Sequence, residues 1–136
     1  MIDQPVLVDT GPLVALLRES DQYHAICVEQ ARHLTRAMLT CWPVMTEAAW
    51  LLRDVRPLLR MLQSGQLVCV ELDAAATEWL ENFAARYANL KPQLADLALA
   101  YLAEQRSLRI FTLDRRDFLV YRTADGKPFQ ILPESL

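Results

Sequence analysis

The sequence predicts an α/β protein: a single domain spanning residues 1–136, with a mostly parallel central sheet of about five strands flanked by helices on both faces. Three observations predict it. Short apolar segments alternate with longer stretches of helical periodicity, the pattern of repeated βαβ units. The short segments are continuous apolar runs, as expected of strands buried on both faces. The length of 136 residues, 53% hydrophobic, suits one domain with a sizeable core.

The elements follow in order along the chain. Residues 5–8, PVLV, are too short for a helix and rich in valine, so they read as a buried strand. Pro12 fits the first turn of a helix that LVALLRES continues. Asp21 is placed to cap a second helix through DQYHAICVEQARHL. MLTCW, 38–42, is a short strand. A helix runs from about Pro43 or Thr46 through TEAAWLLRDV, and another covers 56–64 and stops at Gly65. QLVCVEL, 66–72, is a strand, and Asp73 caps DAAATEWLENFAARYANL. Pro92 opens PQLADLALAYLAEQ. RIFTL, 109–113, and FQIL, 129–132, are the last strands. In such sheets ligands bind beyond the carboxyl ends of the strands, near a topological switch point. Asp9 ends the first strand and therefore falls where a site belongs.

Composition excludes several classes. No apolar run reaches the roughly 18 residues that cross a bilayer. The start carries Asp3 rather than a basic segment, unlike a signal peptide. The expectation is a soluble, cytoplasmic protein without a membrane partner. Cys27, Cys41 and Cys69 lack CxxC spacing, and His24 and His33 form no ligand pair, so they do not suggest zinc. The cysteines read as buried apolar residues in a reducing compartment. The net charge of −3 gives no global pull towards nucleic acid. Of the fourteen Lys and Arg residues all but Lys91 and Lys127 are arginine, which suits bidentate phosphate contacts and equally suits surface ion pairs.

Four carboxylates stand in awkward places. Asp9 has a plain reading as a helix cap. Glu47 lies in or near the first turn of its helix, where the dipole favours it, yet Ala48 to Leu52 are all apolar and the helix looks buried. Asp96 is the only charge between Leu94 and Ala103. A helix apolar all round is buried, and a buried carboxylate needs a cation, either an arginine or a metal. Asp114 ends RIFTL as Asp9 ends VLV, and Asp117 follows in DRRDF; turn chemistry alone would account for both. Together the four can converge on one edge of a parallel sheet. Like charges that close repel unless a cation neutralises them. Oxygen ligands without cysteine or histidine point to Mg²⁺ or Mn²⁺.

VLVDTGPLVALL, TEAAWLL, LADLALAYLAE and IFTLDRRDF, in that order, resemble the motif series of PIN-domain ribonucleases, which include the VapC-type toxins. The resemblance runs from Asp9 to about Arg122. It implies a parallel sheet flanked by helices and Mg²⁺- or Mn²⁺-dependent cleavage of RNA. By position it implies a catalytic quartet of Asp9, Glu47, Asp96 and Asp114. Asp9, Asp96, Asp114 and Asp117 would hold metal, and Thr10 and Thr112 would support the site. Where relatives carry ADAS, this chain reads ADLALA, a departure that bears on rate or metal affinity rather than on fold. The alternatives are a catalytically silent PIN-fold module that binds nucleic acid or protein, and a phosphatase using Asp9 as nucleophile. The second lacks the usual aspartate two residues later, since residue 11 is glycine.

Arg115 and Arg116 directly follow Asp114 and are candidates for phosphate contact. Arg53, Arg56 and Arg60 recur at spacing three and four and would lie along one helix face if that segment stays helical, read as solvated or paired with an acidic partner. Trp42, Trp50, Trp79 and Tyr101 sit in apolar patterns and read as core; His24 reads as structural. The apolar stretch 43–64 suggests burial in a homodimer. The resemblance to VapC also implies an antitoxin protein whose C-terminal segment would occupy the groove.

Overall fold

The computed structural model describes all residues, 1–136. The chain forms β1 (Val6–Val8), α1 (Thr10–Leu17), α2 (His24–Arg32), β2 (Met38–Thr40), α3 (Trp42–Leu52), α4 (Arg56–Ser64) and β3 (Leu67–Cys69). It continues through α5 (Ala76–Arg86), a 3₁₀ turn at Ala88–Leu90, α6 (Leu94–Arg106), β4 (Ile110–Phe111), α7 (Arg115–Phe118) and β5 (Ile131–Leu132). The five strands make one sheet in the order β3-β2-β1-β4-β5, parallel at every pairing. All three residues of β1 are buried, so helices cover both faces there. One apolar core runs through the domain.

The order of the strands positions the site. From β1 the chain moves outward through β2 and β3, then returns to place β4 on the other side of β1. The switch point therefore lies between β1 and β4. Leu7 pairs with Ile110 and Val8 with Phe111, so Asp9 and Thr112 leave the sheet side by side.

Local chemistry explains most boundaries and corrects a few. Gly65 ends α4 at φ 80°, a left-handed conformation that costs glycine nothing. Helix α1 begins at Thr10, with Pro12 in its first turn, and the Asp9 side chain accepts the Thr10 N–H and acts as N-cap. Asp21 accepts the Tyr23 N–H at 2.8 Å and shapes the turn before α2. Asp73 does not cap α5 with its side chain; its carbonyl takes the Ala76 N–H, and the helix starts after a further turn. Pro92 stays outside α6, whose N-cap is Gln93. His24 meets the Ala15 carbonyl at 2.7 Å and ties α2 to α1.

Trp79 and Tyr101 pack as core, with ring centroids 5.3 Å apart. Trp42 and Trp50 do not: they are 52% and 74% exposed. Helix α3 buries Val44, Met45 and Ala48. Residues 42, 46 and 50 recur every four positions along its opposite stripe. A helix that is apolar nearly all round hides which stripe faces inward. Leu51, Val55 and Leu59 extend the exposed apolar surface into α4. Cys27 and Cys41 are buried free thiols, and Cys69 is half-buried. No helix is long and apolar enough to cross a membrane.

Candidate active site

Four elements bring carboxylates to the carboxyl edge of the sheet. Asp9 follows β1 and is 7% exposed. It accepts the Thr10 N–H at 2.7 Å on one oxygen and the Thr112 hydroxyl at 2.8 Å on the other. Thr112 follows β4, and its hydroxyl oxygen accepts the Asp114 N–H at 2.9 Å. One buried hydroxyl thus joins two acids 105 residues apart in sequence. Asp114 caps α7 and accepts the Asp117 N–H at 3.4 Å. The Thr10 hydroxyl donates to Glu47 Oε2 at 3.0 Å, which ties α3 to the start of α1.

Asp96 occupies the third position of α6, where the helix dipole favours an anion. Its carboxylate accepts the Gln93 N–H at 3.3 Å in a capping box. Seven residues around it on α6 are buried, all Ala or Leu, so the rest of the helix is packed in the core. Carboxylate oxygens of Asp96, Asp114 and Asp117 lie within 4.8 Å of one another.

The electrostatics are those of a site short of positive charge. Burial raises the pKa of Asp9, against the pull of its two hydrogen bonds, and Asp114 and Glu47 raise it further. Asp96 is pushed up to about 7, by burial first and then by Asp9. Burial, with Asp117 beside it, also raises Asp114. The ion pairs of the protein lie elsewhere, except that Arg116 Nε comes 3.9 Å from Asp117. No arginine forms an ion pair with Asp96. Hard oxygen donors, clustered and free of histidine and cysteine, fit Mg²⁺ or Mn²⁺.

The structure thus places Asp96, Asp114 and Asp117 together, while Asp9 joins them through Thr112 and Glu47 is held by Thr10, both outside that trio. Arg115 is engaged elsewhere: its guanidinium donates to the carbonyls of Pro133 at 2.6 Å and Glu134 at 3.0 Å, holding the C-terminal segment. Arg116 is exposed. Sequence reasoning passed over Tyr121, which is fully buried and feels the charges of Asp96, Asp117 and Asp114. Its place four residues after Asp117 was the only signal in the sequence.

Residues 6–125 match the family model of the PIN domain. The chain is 27% identical over 135 residues to Ribonuclease VapC26 of Mycobacterium tuberculosis (strain ATCC 25618 / H37Rv), covering 94% of this chain and all of that protein. Its fold resembles a chain in the crystal structure of VapBC2 from Rickettsia felis bound to a DNA fragment from their promoter. There the TM-score is 0.63 at 14% identity, over 94% of this chain and 98% of that one.

Proposed function

The chain belongs to the PIN-domain family, and from that premise we propose that it is a divalent-metal-dependent endoribonuclease, the toxin of a toxin–antitoxin pair. The observation that carries the proposal is the convergence of acids at the switch point without a basic partner of comparable strength. A module that only bound RNA would gain nothing from gathering repelling carboxylates in its cleft. The relative named as a ribonuclease supports the reaction, and the VapBC complex supports an antitoxin partner.

In this reading Asp96, Asp114 and Asp117 hold Mg²⁺ or Mn²⁺, with Asp9 completing the set. The ion supplies positive charge to the scissile phosphate and acidity to water. The rest is the work of the chain. Thr10 N–H and the Thr112 hydroxyl fix both oxygens of Asp9, so that carboxylate cannot rotate. Thr112 also fixes the backbone of Asp114, which keeps the ends of β1 and β4 in register. Glu47, oriented by Thr10, accepts the proton of the attacking water. Arg116, exposed next to Asp117, contacts a flanking phosphate. The exposed apolar surface of Trp50, Leu51, Val55 and Leu59 forms a homodimer contact.

The test is cleavage of structured and single-stranded RNA by purified protein with Mn²⁺, Mg²⁺ or EDTA, beside Asp114→Asn. Cleavage that needs metal and disappears in the variant is the expected result. Equal cleavage by both proteins would refute the assignment of the site.

A further inference from the structure

Tyr121 carries the only buried side-chain polar atom that lacks a hydrogen-bond partner in the protein. The residue is 0% exposed. Its ring is clamped by Phe83, Tyr87 and Phe118, with centroids 5.1, 5.0 and 5.3 Å away. The hydroxyl therefore cannot swing out to bulk solvent. Its backbone N–H bonds to the carbonyl of Asp117 at 3.0 Å, which seats the ring one turn beyond that acid. The charges acting on the phenol are, in order, Asp96, Asp117 and Asp114, the three acids whose oxygens cluster. Burial first, and then these charges, oppose its ionisation, so it remains a donor.

Burying a hydroxyl without a partner costs free energy, and most buried polar groups find one. Its neighbour Tyr87 follows that rule, since its oxygen accepts the Arg122 N–H at 2.8 Å. An unmade bond on a fully buried hydroxyl, within the field of three clustered carboxylates, marks a donor reserved for a state of the site other than the bare protein.

We propose that Tyr121 is a positioning residue whose hydroxyl donates to an oxygen of the cation-loaded site, either a carboxylate of the acidic trio or a water held among them. The proposal rests on the metal site described above. It makes the hydroxyl a partner of the ligands rather than of the fold, and such outer partners typically change metal affinity about 10–100-fold.

The experiment compares wild type, Tyr121→Phe and Tyr87→Phe as full chains. Thermal unfolding is followed in EDTA, and Mn²⁺ affinity is measured by calorimetry. Tyr121→Phe keeps the ring and removes only the unpaired oxygen. Its Tm in EDTA is expected at or above that of wild type, with an Mn²⁺ Kd about 10-fold weaker. Tyr87→Phe is expected to leave the Kd unchanged. A lower Tm for Tyr121→Phe in EDTA, as loss of a bond to a structural water would give, overturns the proposal. An unchanged Kd overturns it too, while the metal site itself stands. Wild type that binds no Mn²⁺ overturns both together.

Discussion

Replacing Asp96 by asparagine should stabilise the metal-free protein at alkaline pH. The carboxyl pKa lies at about 7 in the native protein against 3.8 for the free group. That difference corresponds to roughly 4 kcal/mol carried against folding by the ionised form. Partial exposure and salt screening reduce it to about 2–3 kcal/mol. An amide is also a weaker cap for the Gln93 N–H, a loss of about 0.5–1 kcal/mol. The net gain for Asp96→Asn at pH 8 in EDTA is therefore about 1–2 kcal/mol. Between pH 4 and 7 the native state binds more protons than the unfolded chain, so wild-type stability falls as pH rises through that window. The advantage of the variant must therefore be largest above pH 7 and vanish near pH 4. Urea unfolding in EDTA at pH 4.5, 6 and 8 reads this directly. A variant less stable than wild type at pH 8, or a gain that does not change with pH, refutes the reasoning. Mn²⁺ should then stabilise wild type more than the variant, because binding to the native state adds stability in proportion to the logarithm of saturation.

Other substitutions separate structure from chemistry. Thr112→Val leaves one oxygen of Asp9 and the Asp114 N–H unpaired; unfolding should show a loss of about 1–3 kcal/mol, and RNA cleavage should fall, with Thr112→Ser close to wild type in both. Arg115→Ala should cost about 1–2 kcal/mol by releasing Pro133 and Glu134, since charge-assisted bonds are the stronger ones. Arg116→Ala should leave unfolding unchanged and lower the salt dependence of RNA binding by about one phosphate contact, measured as the slope of affinity against salt. Trp50→Glu should leave the fold intact by circular dichroism and shift sedimentation from dimer to monomer; a wild type that sediments as a monomer at all concentrations would remove the dimer contact.

Much of the fold was legible because the strands are short and buried on both faces. PVLV, MLTCW and RIFTL read correctly as strands, although the sheet uses only two or three residues of each. The acids were legible as conflicts with their surroundings. Asp96 stands alone in an apolar helix, and Asp9 and Asp114 close apolar runs. The short helix α7 was not legible, because Asp114 starts it from within a turn and its four residues carry too little periodicity. The outward stripe of α3 was hidden for a different reason. Apolar residues surround that helix, and only the position of the core shows that Trp42 and Trp50 face away.

The sequence by itself determined which segments become strands and helices, and which carboxylates are out of place, because periodicity and burial are properties of neighbouring residues. Tertiary structure alone decided that β4 lies against β1, so that Thr112 can bond Asp9 across 103 residues. It also committed Arg115 to the C-terminal carbonyls and left Tyr121 unpartnered within the field of Asp96, Asp117 and Asp114. Those outcomes depend on which surfaces meet once the chain has crossed over its sheet, and no local pattern records that choice.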